Sequence, residues 1–376
     1  CYLAEAGVKT IVLEKRPRIG IPIRCAEAAG TREELSCYLP IEERWIASDI
    51  NGVRVTGPGG TVLERRIPGL AVVLRRDIFD QALADRAASL GADIRTHAEV
   101  TGLETEGAYV TGVSVFDHGR KTAYAIRAKV TVGADGIESS TGRFAGLRRH
   151  LKPADIHTCF QYLMKGDELP GDTILLFAGK SIAPGGYAWV FPRGNGCANV
   201  GLGIHPGMAG GVTAKAYLDR FVGDRFRGTR VIATVAGGTS GIKPLATMAG
   251  NGILLVGEAA GQNNPFSGGG IMNALEGATE ASSVLAGCLE RGDFSHAALK
   301  RYDERWKKRN GRAIAKYAKL RTFFMTLEDE DMDVIVDVLD SLHPGGMAPH
   351  AEYPELFKRA FQSTPGLLWK ARKLLW

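Results

Sequence analysis

No stretch of this chain comes near the roughly 20 uncharged apolar residues that a membrane-spanning helix needs, and no signal-peptide pattern stands at its start. Cysteine is scarce. The six residues (Cys1, Cys25, Cys37, Cys159, Cys197 and Cys288) form no C-x-x-C pair and no ligand spacing, so no metal site is expected. Scattered cysteines in a chain of this length fit a reducing, cytoplasmic setting. No block of one charge occurs. The net charge of +6 is spread along the sequence, which argues against a nucleic-acid surface but permits weak attraction to anionic lipid or a phosphorylated substrate. Repeats and low-complexity tracts are also missing.

What is present is an ordinary globular composition, 45% hydrophobic and 23% charged, over 376 residues. That length suits two interlocked domains, or two plus a helical appendage. Cys1–Gly7 reads as a helix end stopped by Gly7, and Val8–Leu13 as a strand delivering Glu14. Helix, glycine stop and strand ending in an acid form the second half of a dinucleotide-binding βαβ unit. The acid binds the adenosine ribose about 20 residues after a Gly-rich turn, so the first strand and its G-x-G-x-x-G loop are expected to lie outside this sequence. A strand-terminal Glu can equally be solvated surface.

Helical spacing marks 76–90, with Ile78, Phe79, Leu83, Ala87 and Leu90 on one side, followed by a strand at 94–96. Residues 110–116 and 124–128 alternate around a polar turn, as a hairpin does. A buried strand at 129–133 ends in Ala134-Asp135-Gly136. From Thr158 to Ile204 the pattern is mostly β, and Gly194-Asn195-Gly196 is a hairpin turn signal. Residues 214–226 read as a helix, 252–256 as a strand, 271–289 as a helix, and beyond about 295 the pattern stays helical. The expected architecture is α/β: a Rossmann-like FAD/NAD(P)-binding domain with an inserted β-rich substrate domain and C-terminal helices. Its boundaries are 1–50, 76–155 and 245–290 for the discontinuous FAD-binding domain, 51–75 and 156–244 for the β-rich domain, and 291–376 for the helices.

The most specific segment runs Leu254-Leu255-Val256-Gly257-Glu258-Ala259-Ala260-Gly261 and on to Pro265-Phe266-Ser267-Gly268-Gly269-Gly270-Ile271. An apolar strand delivers an acid to a small-residue turn that a ligand can approach closely. Three glycines then precede a helix whose free N–H groups favour negative charge, such as that on a reduced flavin. A Gly-rich loop that only packs a helix is the blander reading.

This segment is similar to the second flavin motif of the geranylgeranyl reductases, within the para-hydroxybenzoate-hydroxylase-fold flavoproteins. Ala134-Asp135-Gly136 resembles the same group's A-D-G motif, Arg24-Cys25-Ala26-Glu27 its R-C-x-E segment, and Leu74–Asp80 its L-x-R-x-x-F-D. Pro184–Pro192 matches P-x-x-Y-x-W-x-F-P at every specified position. Tyr187, Trp189 and Phe191 would share one face of a strand, as a polyprenyl-binding wall or as a core-facing strand. Two positions depart from the pattern: Glu258 replaces the usual Asp, and Ala28 stands where Gly is more common.

The resemblance implies FAD as cofactor, with contacts at Glu14 (ribose), Cys25, Ala26, Ala28, Arg76, Val100, Glu258, Gly270 and Ile271. Arg76 would pair with the diphosphate. It implies saturation of isoprenoid C=C bonds, in archaeal-type digeranylgeranylglycerophospholipids or in chlorophyll-type substrates, with Tyr187, Trp189 and Phe191 against the chain. Cys25 is the candidate proton relay, since a free thiol carries a proton at neutral pH, although buried cysteines often serve as small hydrophobes. The expected partners are the isoprenoid lipid, an external electron donor (NAD(P)H or ferredoxin-like) and a membrane surface. A cytoplasmic protein peripheral to the inner membrane face follows. The segment Leu367–Trp376 has an apolar helical face flanked by Lys370, Arg372 and Lys373, suited either to a membrane surface or to docking on its own domain. An FAD-dependent aromatic monooxygenase and an inert flavin-fold binding protein are the competing readings.

Overall fold

The computed structural model describes residues 1–241 and 244–342. Helix α1 (Tyr2–Glu5) stops before Gly7, whose φ of 73° suits glycine, and leads into strand β1 (Ile11–Leu13). Then come β2 (Ala28–Ala29), helix α2 (Arg32–Ser36) and a long hairpin of β3 (Ile46–Thr56) and β4 (Val62–Leu74). Helix α3 (Arg76–Ser89) precedes β5 (Asp93–Arg95) and the meander β6 (Ala98–Glu106), β7 (Tyr109–Asp117) and β8 (Thr122–Arg127). After β9 (Thr131–Gly133) and α4 (Ser140–Phe144) the β-rich block contains β10 (Ile156–Lys165), β11 (Thr173–Phe177), β12 (Tyr187–Pro192) and β13 (Cys197–Ile204). It closes with α5 (Ala214–Arg225) and β14 (Arg230–Ser240). Strands β15 (Ala249–Gly250) and β16 (Ile253–Leu255) return to the nucleotide domain, and α6 (Ile271–Arg291), α7 (His296–Phe324) and α8 (Asp329–Leu342) follow.

One eight-stranded sheet dominates, in the order β14-β10-β13-β12-β11-β3-β4-β2. Only its β11–β3 contact is parallel. The turn between β12 and β13 puts Gly194, Asn195 and Gly196 at φ of 72°, 52° and 66°, a run that glycine and asparagine tolerate best. On one face of the sheet, Leu218 and Phe221 of α5 pack on Met164, Val190, Val200 and Leu202. Burying each such side chain contributes about 1.5–3 kcal/mol. The opposite face carries Trp189 and Phe191 against Ile50, Val53, Val73 and Ile174.

The nucleotide domain contributes two parallel pairs, β1–β5 and β9–β16, which belong to separate hydrogen-bonded sheets. Strand β9 was expected to be buried, yet Val132 at its centre is 38% exposed: β16 pairs with one edge of the strand, and the described residues leave the face that carries Val132 partly open. Two elements also cross the expected boundaries. Strand β3 begins at Ile46, before residue 51, and β2 of the nucleotide segment forms the edge of the β-rich sheet by pairing with Val72 and Val73. The two parts are therefore stitched together by backbone. The segment Leu367–Trp376 lies outside the described residues.

Candidate functional site

The β-rich sheet brings three cross-strand rows to one face. Tyr187 pairs with Gly203 and Gly203 with Cys159; Trp189 with Gly201 and Gly201 with Gln161; Phe191 with Asn199 and Asn199 with Leu163. The rings of Tyr187, Trp189 and Phe191 stand 5.7 and 6.2 Å apart in sequence. Trp189 and Phe191 are closed into the core, whereas Tyr187 is only half-buried and its hydroxyl donates to Ser267 O at 2.6 Å. That bond ties the aromatic row to the Gly-rich segment ahead of α6.

Cys25, Ala26 and Ala28 lie on the same side. Ala26 and Ala28 join the Trp189 cluster, and Gln161 Nε2 donates to Cys25 O at 3.3 Å. The Cys25 sulfur accepts the Glu27 backbone N–H at 3.2 Å, which fixes its position in the turn. Glu27, at φ 73° and almost wholly buried, is the anchor of this loop. Its carboxylate accepts from the Arg76 N–H (3.0 Å) and Asn199 Nδ2 (2.8 Å) and pairs with Arg193 Nε at 3.1 Å. Burial pushes the Glu27 carboxyl above its usual range, opposed by Arg193, Asn199 and the Arg76 amide. Beside the loop, burial and the Glu258 charge push the Cys159 thiol up to about 12. Burial likewise raises the Tyr187 phenol.

The second half of the site is the turn after β16. Gly257 has φ 63°, and Glu258 Oε1 accepts from Ser240 N (2.9 Å) and Thr239 Oγ1 (3.1 Å). Burial raises the Glu258 carboxyl against those two donors and Arg148. From behind, buried Arg148 donates to the carbonyls of Glu258 (2.6 Å) and Ala259 (2.9 Å). Asn263 braces the same corner through Thr239 and Ser240. At the start of α6, Gly270 provides no side-chain cap, unlike Thr213 of α5 and Ser295 of α7. A 21-residue helix thus presents its first N–H groups without a side-chain cap, which fits the anionic end of a reduced flavin. Ile271 opens that helix and packs towards Leu35, Trp45 and Phe79.

The remaining expected contacts sit apart from this centre. Glu14 follows β1 and accepts the Arg16 N–H at 2.8 Å, while Val100 packs with Leu13 in the meander. Arg76 joins the Cys25 loop through its backbone N–H alone; its guanidinium is held bidentately by Asp80 at 2.6 and 2.8 Å. Gln161, Asn199, Arg193, Arg148, Cys159 and Glu27 were not singled out from sequence. Only Glu27 carried a signal, as the acid of Arg24-Cys25-Ala26-Glu27. The others reach the site through contacts distant in sequence, by cross-strand register for Gln161, Asn199 and Cys159 and from loops for Arg148 and Arg193, which single-sequence periodicity does not report.

Residues 155–239 match the family model of the geranylgeranyl reductase catalytic domain, and residues 1–158 that of an FAD binding domain. The chain is 37% identical to the digeranylgeranylglycerophospholipid reductase of Methanosarcina acetivorans, covering 99% of this chain and 91% of that protein. It is 36% identical to digeranylgeranylglycerophospholipid reductase 1 of Methanococcoides burtonii, over 99% and 90%. Among solved structures, a geranylgeranyl bacteriochlorophyll reductase-like protein from Thermoplasma acidophilum superposes with a TM-score of 0.90 at 31% identity, over 99% of this chain and 94% of that one.

Proposed function

The chain belongs to the digeranylgeranylglycerophospholipid reductase family, and from that premise we propose how its own residues carry out the reaction. It is an FAD-dependent oxidoreductase that reduces geranylgeranyl chains in archaeal lipid synthesis. The reaction class follows from the partnership of an FAD-binding turn with an apolar aromatic row, and the observation that carries the reading is the Tyr187 hydroxyl bonded to Ser267 O. That contact sets the row against the Gly-rich segment where the flavin binds.

When bound and reduced by an external donor, FAD supplies the hydride for one alkene carbon. The chain must align the alkene, exclude water and provide the proton for the other carbon. Glu258 and the uncapped first turn of α6, with Gly270 and Ile271, hold the cofactor beside the loop of Cys25, Ala26 and Ala28. Glu14 would take the ribose, and Arg76 and Val100 would contribute further contacts to the cofactor. Tyr187 presents its ring to the isoprenoid chain, backed by Trp189 and Phe191 in the core. The Cys25 thiol gives its proton to the second carbon as hydride reaches the first, and the thiolate is reprotonated from solvent. A C=C bond becomes CH–CH with one hydride and one proton consumed.

The lipid acted on is an archaeal-type digeranylgeranylglycerophospholipid, met at the membrane surface by a peripheral protein of net charge +6. Among the described residues no helix is long and apolar enough to cross a membrane. The deciding measurement is anaerobic incubation of reduced holoenzyme with a geranylgeranyl lipid, followed by mass spectrometry. Stepwise gains of two hydrogens are expected. Oxygen consumption driven by NADPH and an aromatic substrate, with no lipid mass gain, would overturn the reading in favour of a monooxygenase. Cys25→Ala is expected to abolish turnover while keeping bound FAD; full turnover would remove the thiol from the proton path.

A further inference from the structure

The floor beneath Cys25 is built from glycines. Gly203 and Gly201 occupy the middle strand of the rows that start at Tyr187 and Trp189, and Gly237 of β14 pairs with Cys159 at the far end of the first. A Cβ on Gly201 would lie 2.7 Å from the Trp189 indole and 2.9 Å from Gln161 Cβ. One on Gly203 would lie 3.1 Å from Cys159 Sγ, and one on Gly237 would reach Arg24 at 3.8 Å. The bare backbone at Gly201 therefore lets the indole lie across β13, and the Arg24–Cys25 segment passes within van der Waals reach of β14 at Gly237. Among the described residues one polar side chain, that of the almost completely buried Gln161, bridges the two.

Its amide has a single consistent orientation. The Trp189 indole N–H can only donate and does so to Gln161 Oε1 at 2.9 Å, which turns Nε2 towards the Cys25 carbonyl at 3.3 Å. Both ends are thus determined by groups with no alternative role. We infer that Gln161 is a positioning residue for the reduction: it transmits the placement of the Trp189 wall to the Cys25 backbone and sets the sulfur relative to the bound alkene. Asn199 performs the companion task two register pairs away, donating to Ala26 O at 3.1 Å and to Glu27 Oε2 at 2.8 Å, so it holds the loop's exit while Gln161 holds the residue that reacts. This inference rests on the assignment of Cys25 as proton donor.

The test is Gln161→Met in the holoenzyme, which keeps the side-chain length and removes both hydrogen bonds. Bound FAD per chain is expected to stay unchanged and kcat to fall about tenfold or more with little change in KM, as expected of a small misplacement of a reacting group. A second readout does not depend on turnover: the iodoacetamide alkylation rate of Cys25, followed by peptide mass spectrometry with exposed Cys37 as internal reference, should change at least threefold. Trp189→Phe removes the indole donor together with part of the ring's bulk and should move both quantities in the same direction. Unchanged alkylation, whether kcat falls or not, would overturn the inference, as would altered alkylation with normal kcat or loss of FAD in both variants. Failure of the underlying assignment looks different: Cys25→Ala alone would then retain full turnover, whatever Gln161→Met does.

Discussion

The site rests on two glutamates, one almost wholly buried and one partly exposed, and they are held in opposite ways. Glu27, in the Arg24–Ala28 loop, is gripped by side chains from distant strands: Arg193 after β12 and Asn199 of β13. Glu258, in the turn after β16, is satisfied by a backbone N–H and a hydroxyl of neighbouring residues on β14, while its cation, Arg148, spends its bonds on carbonyls. The first acid neutralises a charge and pins a loop; the second takes its hydrogen bonds from uncharged groups and stays partly exposed. Two acids of one site therefore serve different ends, a fastener in one case and, in the function proposed above, a ligand group in the other.

Removing each acid should separate these roles. Glu27→Ala strips Arg193 of its nearest carboxylate in a poorly exposed position, and breaking such a buried pair costs about 3–5 kcal/mol. Denaturant unfolding of the apoprotein should show that loss. Glu258→Ala removes two acceptor contacts and is expected to cost only about 1–2 kcal/mol, with its main effect on flavin retention measured by absorbance after gel filtration. Equal destabilisation by the two variants would break the comparison.

Arg148→Met sharpens it further. The guanidinium leaves Nε and Nη2 without partners among the described residues, and burial lowers its pKa, so its charge adds little to folding stability. What it supplies is the set of the Glu258–Ala259 carbonyls. The FAD dissociation constant should rise about tenfold, equivalent to about 1.4 kcal/mol, with the apoprotein's unfolding midpoint nearly unchanged. A large fall in the midpoint with unaltered FAD affinity would make Arg148 a fastener like Arg193.

The same contrast explains what sequence reading could reach. The Glu258 turn is built from neighbours in the chain, so strand, acid, glycines and helix are visible in order at 254–271. The long helices, the β12–β13 hairpin and the common face of Tyr187, Trp189 and Phe191 follow from local periodicity in the same way. The Cys25 loop is built by register: Gln161, Asn199 and Arg193 lie more than 130 residues away, and nothing in their own surroundings marks them. The early start of β3 was equally hidden, since Ile46-Ala47-Ser48-Asp49 lacks alternation and becomes a strand only by pairing with β4. The pairing of the Arg76 guanidinium with Asp80 is a feature of the fold that the residue type alone does not announce.

The smallest effect concerns His157, which joins the two regions. It lies on β10 two residues before Cys159, and its Nε2 is 2.9 Å from Gly185 O, at the entry to β12. A carbonyl can only accept, so this nitrogen carries the proton of the neutral ring. Burial, followed by Arg321, lowers its pKa to about 4; the Gly185 carbonyl opposes that shift and His205 adds to it slightly. The unfolded chain binds a proton near 6.5 that the folded chain refuses until about 4. Stability contributed by the neutral ring is therefore complete above 6.5 and is lost as pH falls towards 4. Discounted for partial solvent access, the loss is on the order of 1 kcal/mol. His157→Gln keeps a donor for Gly185 but cannot titrate, so its unfolding midpoint should fall less steeply than that of the unaltered chain between pH 6.5 and 4. Parallel midpoint curves for the two proteins would show that His157 is protonated in the fold, and would place the acid sensitivity of this junction in its carboxylates instead.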